Sequence, residues 1–185
     1  MLTPTRVVDI ADHGTSVAPH PRIPDTAPIA VIFDPHIDDL NLLLDGLQSD
    51  VQAYVLTKDH DGIEQITTFL EQNPTSDLTL VGHGFPGGIR LGSGTLELKN
   101  LDNYTQQLQQ WFSATDQARL TLMACNVAQG AGQDFIHQLT EITSAEIVAS
   151  AKVLGNGDWL PAANSLFTPE TLQFYRSTLK WTQVG

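Results

Sequence analysis

From Ile29 onward, short apolar runs alternate with segments of helical period, and this alternation most restricts what the chain can fold into. "IAVIF" (29–33), "VQAYVL" (51–56), "DLTLVG" (77–82), "ARLTLMAC" (118–125) and "AEIVASA" (145–151) are runs of four to eight residues rich in aliphatic and β-branched side chains, as strands covered on both faces require. Between them lie helical patterns. Ile37, Leu40, Leu43, Leu44 and Leu47 share one face of "IDDLNLLLDGLQ". "DGIEQITTFLEQ" opens with Asp61 and Glu64 at capping-box spacing and sets Ile63, Ile66, Phe69 and Leu70 on one face. "LDNYTQQLQQWF" turns Leu101, Tyr104, Leu108, Trp111 and Phe112 inward, and "GQDFIHQLTEIT" is a further helix. Strands alternating with helices predict an α/β sandwich with a mostly parallel central sheet. One stretch departs from the alternation: "GIRLGSGTLEL" reads as a hairpin about Gly92-Ser93-Gly94. Beyond Val153 the pattern weakens; "TPETLQFYRSTL" fits a helix with Thr168 as cap and Pro169 at its first position, or a strand.

Residues 1–28 do not share this pattern. Five of the ten prolines fall there, at positions 4, 19, 21, 24 and 28, so the segment reads as an extended arm whose "TRVVDIA" could pair as an edge strand. The expected organisation is therefore an arm, 1–28, and one α/β domain, 29–185. A chain of 185 residues with 41% hydrophobic and 16% charged residues has enough apolar material for a core without disulfides. The single cysteine, Cys125, excludes an internal disulfide. A formal net charge of −12 repels phosphate backbones and argues against a nucleic-acid partner. No apolar run approaches the roughly 18 residues of a membrane helix, and "MLTPTRVVDIADHG" lacks the apolar core of a signal peptide. The expected location is cytoplasmic, with export through a signal read at the other end of the chain left open.

In such sheets ligands gather outside the carboxyl ends of the strands. Two chemically able residues stand there: His83 after the third strand and Cys125 at the end of the fourth. Gly82-x-Gly84-x-x-Gly87 around His83 matches a dinucleotide fingerprint in letters only. That fingerprint needs a helix directly after the glycines, to set its N-terminus on the pyrophosphate; here a hairpin follows. No G-x-S-x-G elbow exists for a serine hydrolase. Zinc lacks a histidine pair at i,i+4 spacing and a second cysteine. "KDHDG" misses the calcium-loop pattern, with Thr57 and Thr68 in place of its first and twelfth ligands. No metal or cofactor is expected. What remains is a thiol, an imidazole and backbone donors for an oxyanion, the parts a cysteine peptidase needs. Glycine on both sides of His83 lets a substrate backbone approach and leaves the Gly84 N–H free. A lone cysteine also suits a buried apolar site.

The two stretches "LTLVGHG" and "LTLMAC" resemble the caspase-like peptidases (caspases, metacaspases, gingipains, legumains, separases), whose signature is an apolar strand ending in His-Gly and a second ending in Ala-Cys. More closely, the chain is similar to an uncharacterised caspase-like bacterial domain frequent near the N-termini of large repeat-rich surface proteins. That likeness runs from about Ile29 to Trp159 through "DGIEQI", "GHGFPGGIRLG", "LMACNVAQG" and "NGDWL". The resemblance implies a caspase-like three-layer sandwich, Cys125 as nucleophile, His83 as general acid, and the N–H groups of Gly84 and Cys125 as oxyanion hole. It also implies that Asp34, after "AVIF", holds a basic substrate side chain, the other reading being a turn residue before Pro35; Trp159 fits either a wall of the cleft or a buried core position. A cleavable linker of the kind that matures caspases is missing.

Two functions are consistent with these residues. One is a caspase-like cysteine endopeptidase acting on a peptide or protein substrate, in its own or an associated chain. The other is a catalytically silent fold that joins a partner complex through residues 1–28. The separation of His83 from the Cys125 sulfur, and the exposure of that sulfur, discriminate between them.

Overall fold

The computed structural model describes residues 28–182; the expected arm, apart from Pro28, lies outside them. The five apolar runs form one parallel sheet: β1 (Ile29–Phe33), β2 (Val51–Val55), β3 (Asp77–Val81), β7 (Arg119–Met123) and β8 (Glu146–Ala149), in the order β2-β1-β3-β7-β8. A second, antiparallel sheet holds β4 (Gly84–Phe85), β5 (Gly88–Leu91) and β6 (Gly94–Glu97). The expected hairpin is β5–β6, closed through Gly92 and Ser93, with Gly92 at φ +61, where a side chain would be strained. The two-residue strand β4 was not expected. It carries the chain straight from the end of β3 into the second sheet, where Gly84 pairs with Ile89 of β5.

Strand residues alternate between two cores, as a period of two demands. Ala30, Ile32, Leu78, Leu80, Leu120 and Leu122 pack on one face, against α2 (Gly62–Gln72), α3 (Thr105–Gln110) and α4 (Gly132–Thr143). Val31, Phe33, Val81, Met123 and Cys125 pack on the other, against α1 (Leu40–Asp45), α5 (Ala163–Leu166) and α6 (Pro169–Phe174). Helices on both faces of a parallel sheet make the three-layer α/β sandwich that the alternation predicts.

α2 and α4 run the full expected length, whereas α1, α3 and α6 are shorter than their apolar periodicity. α1 begins only at Leu40, because Asp39 sits in the left-handed region at φ 52 and cannot be a helical residue. The expected helix over Leu101–Phe112 is split. A 3₁₀ turn spans Leu98–Tyr104, fixed by a reciprocal cap between Glu97 and Asn100, and α3 follows. α2 starts at its expected cap: the Asp61 carboxylate accepts from the N–H groups of Ile63 (2.8 Å) and Glu64 (3.0 Å). α6 resolves the open choice near the end of the chain in favour of a helix, with Thr168 accepting from Thr171 N–H and Pro169 at the first position.

Candidate active site

β3 and β7 are neighbours in the sheet, with Val81 opposite Met123. His83 and Cys125 each lie two residues beyond that pair, so they stand at matched register on strands about 4.8 Å apart. The pairing continues past the strand ends, since Gly82 N–H donates to Met123 O at 3.3 Å. By the same period of two, Cys125 follows Met123 onto the face covered by α1, α5 and α6.

The backbone of Gly84 lies directly on that of Cys125. A Cβ added at Gly84 would sit 2.4 Å from Cys125 O and 2.7 Å from Cys125 N, so only glycine fits. This contact brings two N–H donors together. Gly84 N–H donates to the carbonyl oxygen of Leu179 at 2.9 Å, and Cys125 N–H donates to the same oxygen at 3.2 Å. The sequence contained no signal for this third participant; Leu179 reaches the site only because the chain returns to it after α6.

The Cys125 sulfur is fully buried. It accepts from Leu154 N–H at 3.0 Å and its S–H faces Leu154 O at 3.4 Å. Burial pushes the thiol above its ordinary range, with the Leu154 and Leu179 backbones and the Lys180 charge pulling the other way. In this state the sulfur is a protonated thiol.

His83 Nε2 is 3.0 Å from the carbonyl oxygen of His36. A carbonyl only accepts, so Nε2 carries the proton, and in the neutral ring Nδ1 holds the lone pair. Nδ1 is buried and has no hydrogen-bond partner, which is uncommon for such a group. His36 is itself held: its N–H and its ring Nδ1 each lie 3.3 Å from the carboxylate of Asp34. That carboxylate, fully buried, also accepts from Gly92 N–H at 2.9 Å. Asp34 thus ties the end of β1 to the β5–β6 turn and to the loop whose carbonyl orients His83. Trp159 donates from its indole nitrogen to Leu172 O at 3.3 Å and packs on Phe167 and Tyr175, in the same apolar cluster as Cys125 and Leu179. Among the described residues no helix is long and apolar enough to cross a membrane.

The architecture defines an α/β protein of the open parallel-sheet kind, with a histidine and a cysteine at adjacent carboxyl-terminal strand ends. The chain belongs to the family described as a domain of unknown function (DUF4347), whose model matches residues 30–180. That span takes in all of the sheet but Ile29, both candidate residues and the returning segment at Leu179. No protein with a curated description matches the chain.

Proposed function

We propose that this domain is a cysteine endopeptidase of the caspase-like kind, acting through His83 and Cys125 on a peptide segment of its own or an associated chain. The observation that carries the reading is the convergence of the Gly84 and Cys125 N–H groups on one carbonyl oxygen. Two backbone donors aimed at one point beside a nucleophile is the arrangement an oxyanion needs.

At rest Cys125 S–H faces Leu154 O and His83 Nδ1 has no hydrogen-bond partner, so the reaction begins with the thiol turning from Leu154 toward Nδ1. His83 Nδ1, with its free lone pair, takes the thiol proton as sulfur bonds to the substrate carbonyl carbon. The carbonyl oxygen becomes an oxyanion held by Gly84 and Cys125 N–H. The imidazolium then returns its Nδ1 proton to the leaving nitrogen as the C–N bond breaks, leaving a thioester. Water, deprotonated by Nδ1, attacks the thioester and releases the carboxylic acid and the thiol. Asp34 acts here as a positioning residue through His36, holding the carbonyl that fixes the ring and tautomer of His83.

The burial of the sulfur favours a second reading, a silent fold serving as an assembly module. The test is incubation of the full chain with fluorogenic peptides bearing Leu, Arg or Asp before the scissile bond, alongside Cys125→Ser and His83→Ala. Turnover lost in both variants supports the peptidase. No hydrolysis by the wild type or by a Trp181→Ala variant, which loosens the returning segment whose Trp181 N–H donates to Gly84 O, sinks it and leaves the module.

A further inference from the structure

The segment after α6 runs extended between Leu154 and Gly84. Its main chain is bonded on both sides. Leu179 N–H donates to Leu154 O at 3.0 Å, Leu179 O receives Gly84 and Cys125 N–H, and Trp181 N–H donates to Gly84 O at 3.1 Å. Lys180 pairs in parallel with Gly84, and Thr178 pairs antiparallel with Gly155. These are the bonds by which any extended peptide adds to an open sheet edge, and they do not depend on its side chains. The side chains supply the rest. Leu179 is fully buried in an apolar cluster that includes Val81, Met123, Leu154 and Tyr175. Lys180 is exposed, so its side chain reaches solvent while its main chain stays paired with Gly84. Trp181 closes the segment down: its ring meets Phe85 edge-on at 6.0 Å, and the Arg90 guanidinium lies 4.7 Å over it.

We propose that Thr178–Trp181 is a tethered occupant of the peptide cleft, lying where a substrate strand lies, with Leu179 in the place of the residue before the scissile bond. The segment must withdraw before an outside peptide can enter. The substrates so selected are extended segments with a leucine-sized apolar residue at that place. The inference rests on the peptidase reading for the word substrate, but occupancy is measurable without turnover.

Because Cys125 is the only cysteine, alkylation followed by intact mass reports on this site alone. The full chain is compared with Trp181→Ala and Trp181→Pro; the proline also removes the N–H that bonds Gly84 O. The fold of each variant is checked by circular dichroism. Iodoacetamide should label both variants at least about tenfold faster than the parent. Excess free hexapeptide STLKWT, the sequence of residues 177–182, should slow labelling of the variants back toward the parent rate. STDKWT, with aspartate in place of the leucine, should not. Folded variants that label at the parent rate, or that ignore STLKWT, overturn the proposal. Protection by an arginine peptide in preference to leucine also overturns it, and returns selection to Asp34. Protection by STLKWT without hydrolysis of any peptide keeps the occupant and removes the peptidase.

Discussion

Replacing Gly84 by alanine tests the site at its tightest contact. The ideal Cβ lies 2.4 Å from Cys125 O, 2.7 Å from Cys125 N and 2.8 Å from Ala124 Cβ, whereas ordinary contact begins near 3.4 Å. The backbone of one strand end must therefore retreat from the other by close to an ångström, and two of the three obstacles are main-chain atoms that no rotamer change can move. Gly84 is not among the positive-φ glycines, so the penalty is steric rather than torsional. Overpacking of this kind costs about 1–3 kcal/mol, or roughly 2–12 °C in Tm for a chain of this size. The retreat also draws the Gly84 N–H off the shared carbonyl position. Loss of one such donor lowers turnover about 10²–10³-fold. Urea denaturation and peptide hydrolysis measure the two effects. Gly94→Ala is the control, since nothing lies within 4 Å of its Cβ; it should be neutral or stabilising by up to about 1 kcal/mol. If Gly84→Ala unfolds at the same urea concentration as Gly94→Ala, the reasoning from backbone contact is wrong.

Cys125→Ser should fold with a loss of about 1 kcal/mol or less, because the hydroxyl inherits Leu154 N–H and O as partners; denaturant midpoints check this, and turnover should vanish since an alcohol needs a stronger base. Alkylation of the wild type at pH 7 should be slower than that of a free cysteine, and its rate should still be climbing above pH 9, because burial raises the thiol from its ordinary 9.0; a rate that levels off below pH 8 would contradict the closed site. Tyr104 donates to the Asp61 carboxylate at 2.6 Å, and that bond, with burial, pushes its ionisation up to about 12. The stabilisation it brings is complete below pH 10 and is lost as pH rises through about 12; Tyr175, raised further by burial, also ionises late, so an ultraviolet titration should show two late tyrosines, of which Tyr104→Phe removes the earlier. Asp61→Ala should cost about 1–2 kcal/mol through loss of the α2 cap, read from thermal unfolding.

The order of elements, the parallel sheet and the position of His83 and Cys125 beyond two strand ends were legible in the sequence because each has a local cause. Short β-branched apolar runs such as "IAVIF" and "LTLVG" fit buried strands, Asp61 announces a helix start through its own side chain, and Gly92-Ser93 closes a hairpin through local turn geometry. Tertiary structure decided what depends on distant chain meeting distant chain. Nothing near Leu179 marks it as the carbonyl that Gly84 and Cys125 share, since the bonds run through backbone atoms common to every residue. The work of Asp34 was hidden for the same reason: its partners include Gly92, far along the chain, and its effect on His83 passes through a backbone carbonyl at His36. The lengths of α1 and α3 also escaped the periodicity, because Asp39 takes a left-handed conformation and Tyr104 is fastened to Asp61 across the fold. Local propensity and burial pattern determined the layers; long-range backbone hydrogen bonding determined what occupies the site they frame.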